Sequence, residues 1–251
     1  RRVLFRSFMA SLSLRHLSKT YDNGVNAIKD VTLEVDDKEF MVLAGPVGCG
    51  ISTVLRMIAG VEDITDGELL VDGERMNETP SIDRDMAMIF KNGKLYPQMN
   101  IYDNLAFGLK LKELPIGEID ARIAEVTQVL NIGHLLDKMT EDLDEKERAL
   151  VVLGRAIVKK PKVFLLDEPF SSLSKELKKE MQELLWSLYE KMQITVVYVT
   201  HNSEDIRHTD TRVAVMNDGS VQQIGTIGEL YDRPATPYVS EFLGVPAEEV
   251  C

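Results

Sequence analysis

Three short stretches of this chain carry residue types that could do chemistry. The first, GPVGCGIST at Gly45–Thr53, spaces its glycines as G-x-x-G-x-G ahead of two hydroxyl residues. Glycines let successive backbone N–H groups curl round an anion at a helix N-terminus. Gly45, Gly48 and Gly50 therefore read as a phosphate cradle, and Ser52 stands where a hydroxyl would hold Mg2+. The position between Gly50 and Ser52 should be lysine for that chemistry, and it is Ile51. The second stretch is Asp167-Glu168, at the tip of the apolar run VFLLDEP. An Asp there can hold Mg2+ while the Glu positions water; a helix cap or a solvated acidic pair fits the same two residues. The third is His201, which closes ITVVYVTH.

The elements around these residues must bring them together. Phe40–Ala44 (FMVLA) is a continuous apolar run, the pattern of a strand buried on both faces, and Val163–Pro169 (VFLLDEP) and Ile194–His201 (ITVVYVTH) read as buried strands ending in two carboxylates and in a histidine. Ser11–Leu17 and Ala27–Val35 alternate instead, and Glu68–Val71 and Ala87–Phe90 read as further strands. Val54–Ala59, Ile101–Lys112, Glu118–Leu130, Glu145–Lys159 and Lys175–Lys191 read as helices, the last with apolar residues at 177, 181, 184, 185 and 188. Asn217-Asp218-Gly219 is a hairpin turn signal between two short strands, and two short helices close the chain. Strands alternating with helices imply a parallel α/β core, whose ligands bind beyond the carboxyl ends of the strands. Gly45–Thr53, Asp167–Glu168 and His201 all follow strand ends.

Composition removes other readings. The chain of 251 residues has 29 Lys and Arg against 41 Asp and Glu, a net charge of −12. That balance opposes non-specific nucleic-acid binding, which runs on phosphate neutralisation. No apolar run approaches the roughly 18 residues of a membrane span, so membrane contact is expected through partners. Two cysteines, Cys49 and Cys251, exclude a disulfide framework and suit a reducing compartment. Cys49 reads as an inert small residue in a tight turn. His16, His134 and His208 lack metal-ligand spacing, and Trp186 reads as packing beside a helix stripe. RRVLFRSF at 1–8 reads as an appended remnant, with Met9 as the natural start.

With these residues in view the sequence resembles the ATP-binding subunits of ATP-binding cassette (ABC) transporters, the carbohydrate-importer type in particular. The likeness runs from about Ser11 to Gly244. It is carried by KTYDNG at 19–24, GPVGCGIST, LYPQMNIYDNLAFGLK at 95–110, LGRAIVKKPKVFLLDEP at 153–169, VYVTH at 197–201 and the stretch Met216–Gly244. The resemblance implies an α/β P-loop NTPase cassette at residues 9–244. It has a parallel-sheet core, an antiparallel β subdomain and a helical subdomain at about 91–160. Residues 245–251 would then be a tail, without the C-terminal β domain of importer-type members. It further implies that Tyr21 stacks on adenine and that Gly45, Gly48, Gly50, Ser52 and Thr53 cradle ATP. Asp167 with Ser52 would organise Mg2+, Glu168 would orient the attacking water and His201 would contact the γ-phosphate. Leu95, Tyr96 and Pro97 would receive the membrane-spanning subunit, and a second nucleotide-binding subunit would complete the assembly at the cytoplasmic face of the membrane.

The departures from the family pattern fall on positions that touch nucleotide or partner. Ile51 replaces the loop lysine and Val47 a small polar residue. Lys91 stands where the family has a glutamine, the LSGGQ signature reads Leu143-Asp144-Glu145-Lys146-Glu147, and Ser174 replaces an aspartate. A lost charge-assisted hydrogen bond costs roughly 1.5–3 kcal/mol, so ATP and Mg2+ should bind weakly. Lys91 returns a cation but repels Mg2+. Asp144 and Glu147 have the D-x-x-E spacing of a capping box, worth about 1 kcal/mol to the helix. That box uses donors a γ-phosphate would need, and its carboxylates repel polyphosphate. These substitutions are expected at surface loops and helix starts, leaving the fold intact. Two readings stay open: a transport ATPase of impaired turnover, and a non-catalytic ABC-like scaffold, natural or engineered, acting through protein contacts.

Overall fold

The computed structural model describes residues 10–91, 93–206 and 211–245. The expectations for the leading remnant, Met9, His208 and Cys251 lie outside the described residues.

The elements run β1 (Leu12–Thr20), β2 (Asn26–Val35), β3 (Phe40–Ala44), α1 (Ile51–Ala59), β4 (Asp66–Val71), β5 (Glu74–Arg75), β6 (Met86–Ile89), α2 (Ile101–Leu111) and α3 (Ile116–Leu130). There follow α4 (Glu145–Ile157), β7 (Val163–Asp167), α5 (Lys175–Met192), β8 (Thr195–Thr200), β9 (Arg212–Asn217), β10 (Ser220–Thr226), α6 (Ile227–Asp232) and α7 (Pro237–Leu243). The chain divides into two compact units. The first takes residues up to 86, 162–168 and from 189 onward; the second takes 87–161 and 169–188.

Within the first unit one antiparallel sheet has the order β2-β1-β4-β5. Val31, Leu33 and Val35 bury one face of β2 while Thr32 and Glu34 stay exposed, which is why that segment alternates. In the other sheet β3 is parallel to both β8 and β9, β7 is parallel to β8, and β10 folds back antiparallel on β9. Every residue of β3, β7 and β8 is buried, as a covered parallel sheet requires. The register sets Ala44 beside Thr200 and Asp167 beside Val199, so three chain-reversing ends meet at one edge.

Helix α1 starts at Ile51, three residues earlier than its apolar pattern announces. Gly50, at φ 101°, turns the loop directly into the first helical residue. Ile51, Val54, Leu55 and Ile58 then form one buried stripe at i, i+3, i+4 and i+7. The altered residues are expected at surface loops and helix starts; Ile51 does open α1, but it is 0 % exposed rather than at the surface. At the far end of α1 the Arg84 side chain, 6 % exposed, donates to the carbonyls of Met57 (2.8 Å), Ile58 (2.9 Å) and Thr79 (2.9 Å). A cation on the last carbonyls also complements the helix dipole.

The second unit is built on α2, α3 and α4. Fully buried Asn104 pins the loop before α2, accepting from the Tyr96 N–H at 2.8 Å and donating to the carbonyls of Tyr96 (3.1 Å) and Met99 (3.0 Å). α3 begins just after its N-cap Pro115, whose backbone is at φ −56° and ψ 140°.

Candidate functional site

The loop between β3 and α1 is shaped by close approach and by left-handed backbone. A side chain on Gly45 would place its Cβ 2.2 Å from the carbonyl oxygen of Met216, so only glycine fits there. Gly48 and Gly50 both have positive φ, at 87° and 101°. No atom lies within 4 Å of the point a Gly48 Cβ would occupy, so the cradle has room. The loop is stitched from outside by the β9–β10 turn, as the Gly219 N–H donates to the Cys49 carbonyl at 2.9 Å and the Lys29 N–H to the Gly219 carbonyl at 2.7 Å. Asp218 and Gly219 take left-handed φ at that turn. The buried Cys49 thiol is pushed up by desolvation, against an opposing backbone N–H of Ile51, so little reactive thiolate forms.

The three strand-end motifs converge. Ser52 Oγ donates to Asp167 Oδ1 at 2.8 Å, and Asp167 is buried at the tip of β7. Glu168 adopts a left-handed φ of 44°, uncommon for a residue with a side chain. That bend sets its carboxylate beside the end of β8, where Oε1 accepts from the His201 N–H at 3.3 Å. His201 Nδ1 lies 2.8 Å from the Gly45 carbonyl. A carbonyl can only accept, so Nδ1 carries the proton; Nε2 then donates as well only in the imidazolium form. Gly45, Ser52, Asp167, Glu168 and His201 thus form one linked set. Thr53 is half-buried in the first turn of α1. Val47, at the crest of the loop, is 83 % exposed.

Tyr21 sits in its own cluster of the first unit. Lys19 Nζ lies 5.1 Å from its ring centroid, and the ring hydroxyl donates to Glu62 Oε2 at 3.4 Å. Sequence reasoning misses Lys19 and Glu62, as well as the outer stitch at Gly219. The Asn-Asp-Gly turn is the one local signal pointing to that stitch.

The residue set suits a phosphate chain with Mg2+, less one charge. Among the described residues no group of three or more His, Cys, Asp or Glu could hold a metal by itself. Ser52 and Asp167 offer a hydroxyl and a carboxylate, and Mg2+ typically completes such a pair with phosphate oxygens and water. The buried Ile51 supplies no cation.

In the second unit, Asp144 caps α4. Asp144 Oδ1 accepts from the Glu147 N–H at 2.7 Å, and Glu147 Oε2 accepts from the Asp144 N–H at 3.0 Å, a closed capping box. The Asp144 N–H and then the Lys138 ammonium at 3.0 Å hold the Glu147 carboxyl below its usual range. Glu145 is exposed, and Lys146 pairs with Glu180 of α5. Ser174 accepts from the Leu177 N–H at 3.3 Å and so caps α5; Lys91 is exposed. Leu95, Tyr96 and Pro97 are divided between two adjoining cavities, which share Ile89, Gly93, Lys94 and Val152. Leu95 and Pro97 line a cavity of about 640 Å³ with Leu143 and Phe170. Tyr96 lines another of about 540 Å³, packed 4.8 Å from the Phe107 ring with Arg155 over its face at 5.2 Å.

A parallel sheet presenting a glycine loop, a buried Asp and a histidine at one edge defines a nucleotide-binding cassette. The match to known proteins gives the family: residues 28–171 fit the family described as ABC transporter, and the chain belongs to it. It is 46% identical over 239 residues to the putative uncharacterized ABC transporter ATP-binding protein YcjV of Escherichia coli, covering 95% of this chain and 66% of that protein. The oligosaccharides import ATP-binding protein MsmX of Bacillus subtilis is 44% identical over 95% of this chain and 66% of its own length. The sn-glycerol-3-phosphate import ATP-binding protein UgpC of Rhodopseudomonas palustris is 46% identical, over 95% and 65%. The chain thus spans slightly less than two thirds of these relatives. Among solved structures, the ATP-binding cassette MJ0796 bound to ADP and Pi superposes with a TM-score of 0.75 at 25% identity, over 86% of this chain and 98% of that one. The fold alone is shared with cbiO1 from Clostridium perfringens, at a TM-score of 0.80 and 24% identity, over 96% and 97%.

Proposed function

We propose that this chain is an ATP-binding subunit of a membrane importer of the carbohydrate type, with weak nucleotide binding and strongly impaired turnover. In this reading residues 9–244 are the nucleotide-binding domain, with its helical subdomain at about 91–160. ATP lies along Gly45, Gly48, Gly50, Ser52 and Thr53, with its base against Tyr21. Ser52 and Asp167 would hold Mg2+, which supplies charge neutralisation on the phosphates when bound. Glu168, bent back by its left-handed backbone, orients water, and His201 meets the terminal phosphate as a donor when protonated. Leu95, Tyr96 and Pro97 serve the membrane-spanning subunit, which keeps the chain at the cytoplasmic face. No helix among the described residues is long and apolar enough to cross a membrane. The names of MsmX and UgpC support the importer assignment.

The observation that carries the impairment is the closed Asp144–Glu147 box. A signature helix binds the partner's γ-phosphate through free N–H groups at its start. Here the Asp144 and Glu147 N–H groups are used internally, and the two carboxylates repel a polyphosphate. Every composite site takes a loop from one subunit and a signature from the other, so each site containing this chain lacks the loop lysine or a free signature helix. Phosphate release under saturating Mg-ATP, against Glu168→Gln as blank, tests the reading. A rate indistinguishable from the blank is expected; turnover at the pace of an ordinary transport ATPase overturns it.

A further inference from the structure

We infer that Lys19 and Glu62 are positioning residues that hold the Tyr21 ring as the base-stacking platform of the nucleotide site, an inference that rests on the ATP-binding reading above. Tyr21 opens a tight turn after β1, closed by Tyr21 N–H to the Val25 carbonyl at 2.9 Å and Gly24 N–H to the Tyr21 carbonyl at 2.8 Å. The backbone is therefore fixed, and the side chain is held twice more. Glu62 acts as a two-ended clamp: Oε1 is 2.7 Å from Lys19 Nζ, and Oε2 accepts from the Tyr21 hydroxyl at 3.4 Å. Lys19 also donates to the Asp63 carbonyl at 2.8 Å, and its ammonium stands over the Tyr21 ring.

Lys19 is only 8 % exposed, an unusual place for an ammonium. An ion pair that merely joined β1 to the 62–63 segment has no need of a ring in register with it. The ring matters chemically. A cation on one face of an aromatic draws π-density toward itself, which leaves the other face a better partner for an electron-rich purine. The clamp also removes the ring's freedom before the base arrives, so binding no longer bears that ordering cost. Immobilising one such side chain corresponds to about a two- to tenfold change in affinity.

The test separates the base from the phosphates. Equilibrium binding of Mg-ATP and of inorganic Mg-tripolyphosphate, which has no base, is measured for the chain as it stands and in an Ile51→Lys background. Lys19→Met and Glu62→Gln should each weaken ATP about two- to tenfold while leaving tripolyphosphate unchanged, and Lys19→Arg should retain most of the ATP affinity. In a Tyr21→Leu background Lys19→Met should add nothing. Should Lys19→Met fail to fold by circular dichroism, Glu62→Gln carries the same comparison. Equal losses for both ligands, or a further loss in Tyr21→Leu, overturn the inference and leave the ATP reading standing. ATP that binds neither the chain nor Ile51→Lys sinks both.

Discussion

Replacing Ile51 by lysine sets two structural terms against each other, and both can be read. Ile51 is fully buried in the stripe that α1 turns inward. Burying such a side chain stabilises by about 1.5–3 kcal/mol. A lysine there must lead its stem out toward the loop and forfeits much of that packing, so the nucleotide-free variant should lose about 1–3 kcal/mol. For a chain of this size each kcal/mol moves Tm by roughly 2–4 °C, giving a drop of about 2–12 °C. The same lysine restores one or two charge-assisted hydrogen bonds to phosphate, which should tighten ATP by about one to four orders of magnitude. ATP at a hundredfold excess over Kd then adds about 2.7 kcal/mol and offsets most of the deficit. Scanning calorimetry without nucleotide and titration calorimetry with Mg-ATP measure the two halves. An unchanged Tm without nucleotide, or equal ATP affinities, refutes the reasoning. Turnover should stay low, because the helix start at Asp144 is untouched.

Mg-ATP should leave the oligomeric state of the Glu168→Gln protein unchanged by light scattering, because the start of α4 already holds its own anions; a monomer-to-dimer shift contradicts this. The Glu147 carboxyl lies below its ordinary value of 4.5, chiefly through the Asp144 N–H. Its stabilisation is complete above that value and is lost as pH falls through the lowered one. Glu147→Gln should therefore flatten the acid limb of the stability curve, and an equally steep limb would count against the box. Arg84→Met removes a donor from the buried carbonyls of Met57 and Ile58 and from the part-buried one of Thr79, and should lower stability by roughly 2–3 kcal/mol in urea unfolding; a loss below about 1 kcal/mol would show those bonds to be replaceable.

Much of the fold could be read because its signals are local. FMVLA, VFLLDEP and ITVVYVTH are unbroken apolar runs, and a strand buried on both faces leaves that mark. The glycine spacing of the loop and the D-x-x-E of α4 are likewise short-range. What stayed hidden depends on partners far away in sequence. The burial of Ile51 follows from the phase of α1, which the glycine loop masks by appearing to delay the helix start. Arg84 looks like one more surface cation until the end of α1 is set over it, and Lys19 cannot be tied to Glu62 without the fold. The bent backbone of Glu168 leaves no trace in composition, since nothing about its residue type asks for a left-handed φ.

The outer stitch of the phosphate loop has a consequence for how such a site can change over generations. Gly219 fastens the loop by a main-chain bond to Cys49, and Lys29 holds the turn by a main-chain bond to Gly219 and an ion pair with Asp218. None of those bonds consults the side chain at 51, at 47 or at 144. A lineage could therefore discard the charge, the signature and the turnover one substitution at a time while inheriting the same cradle. Form and chemistry are thus separately heritable in a loop held this way.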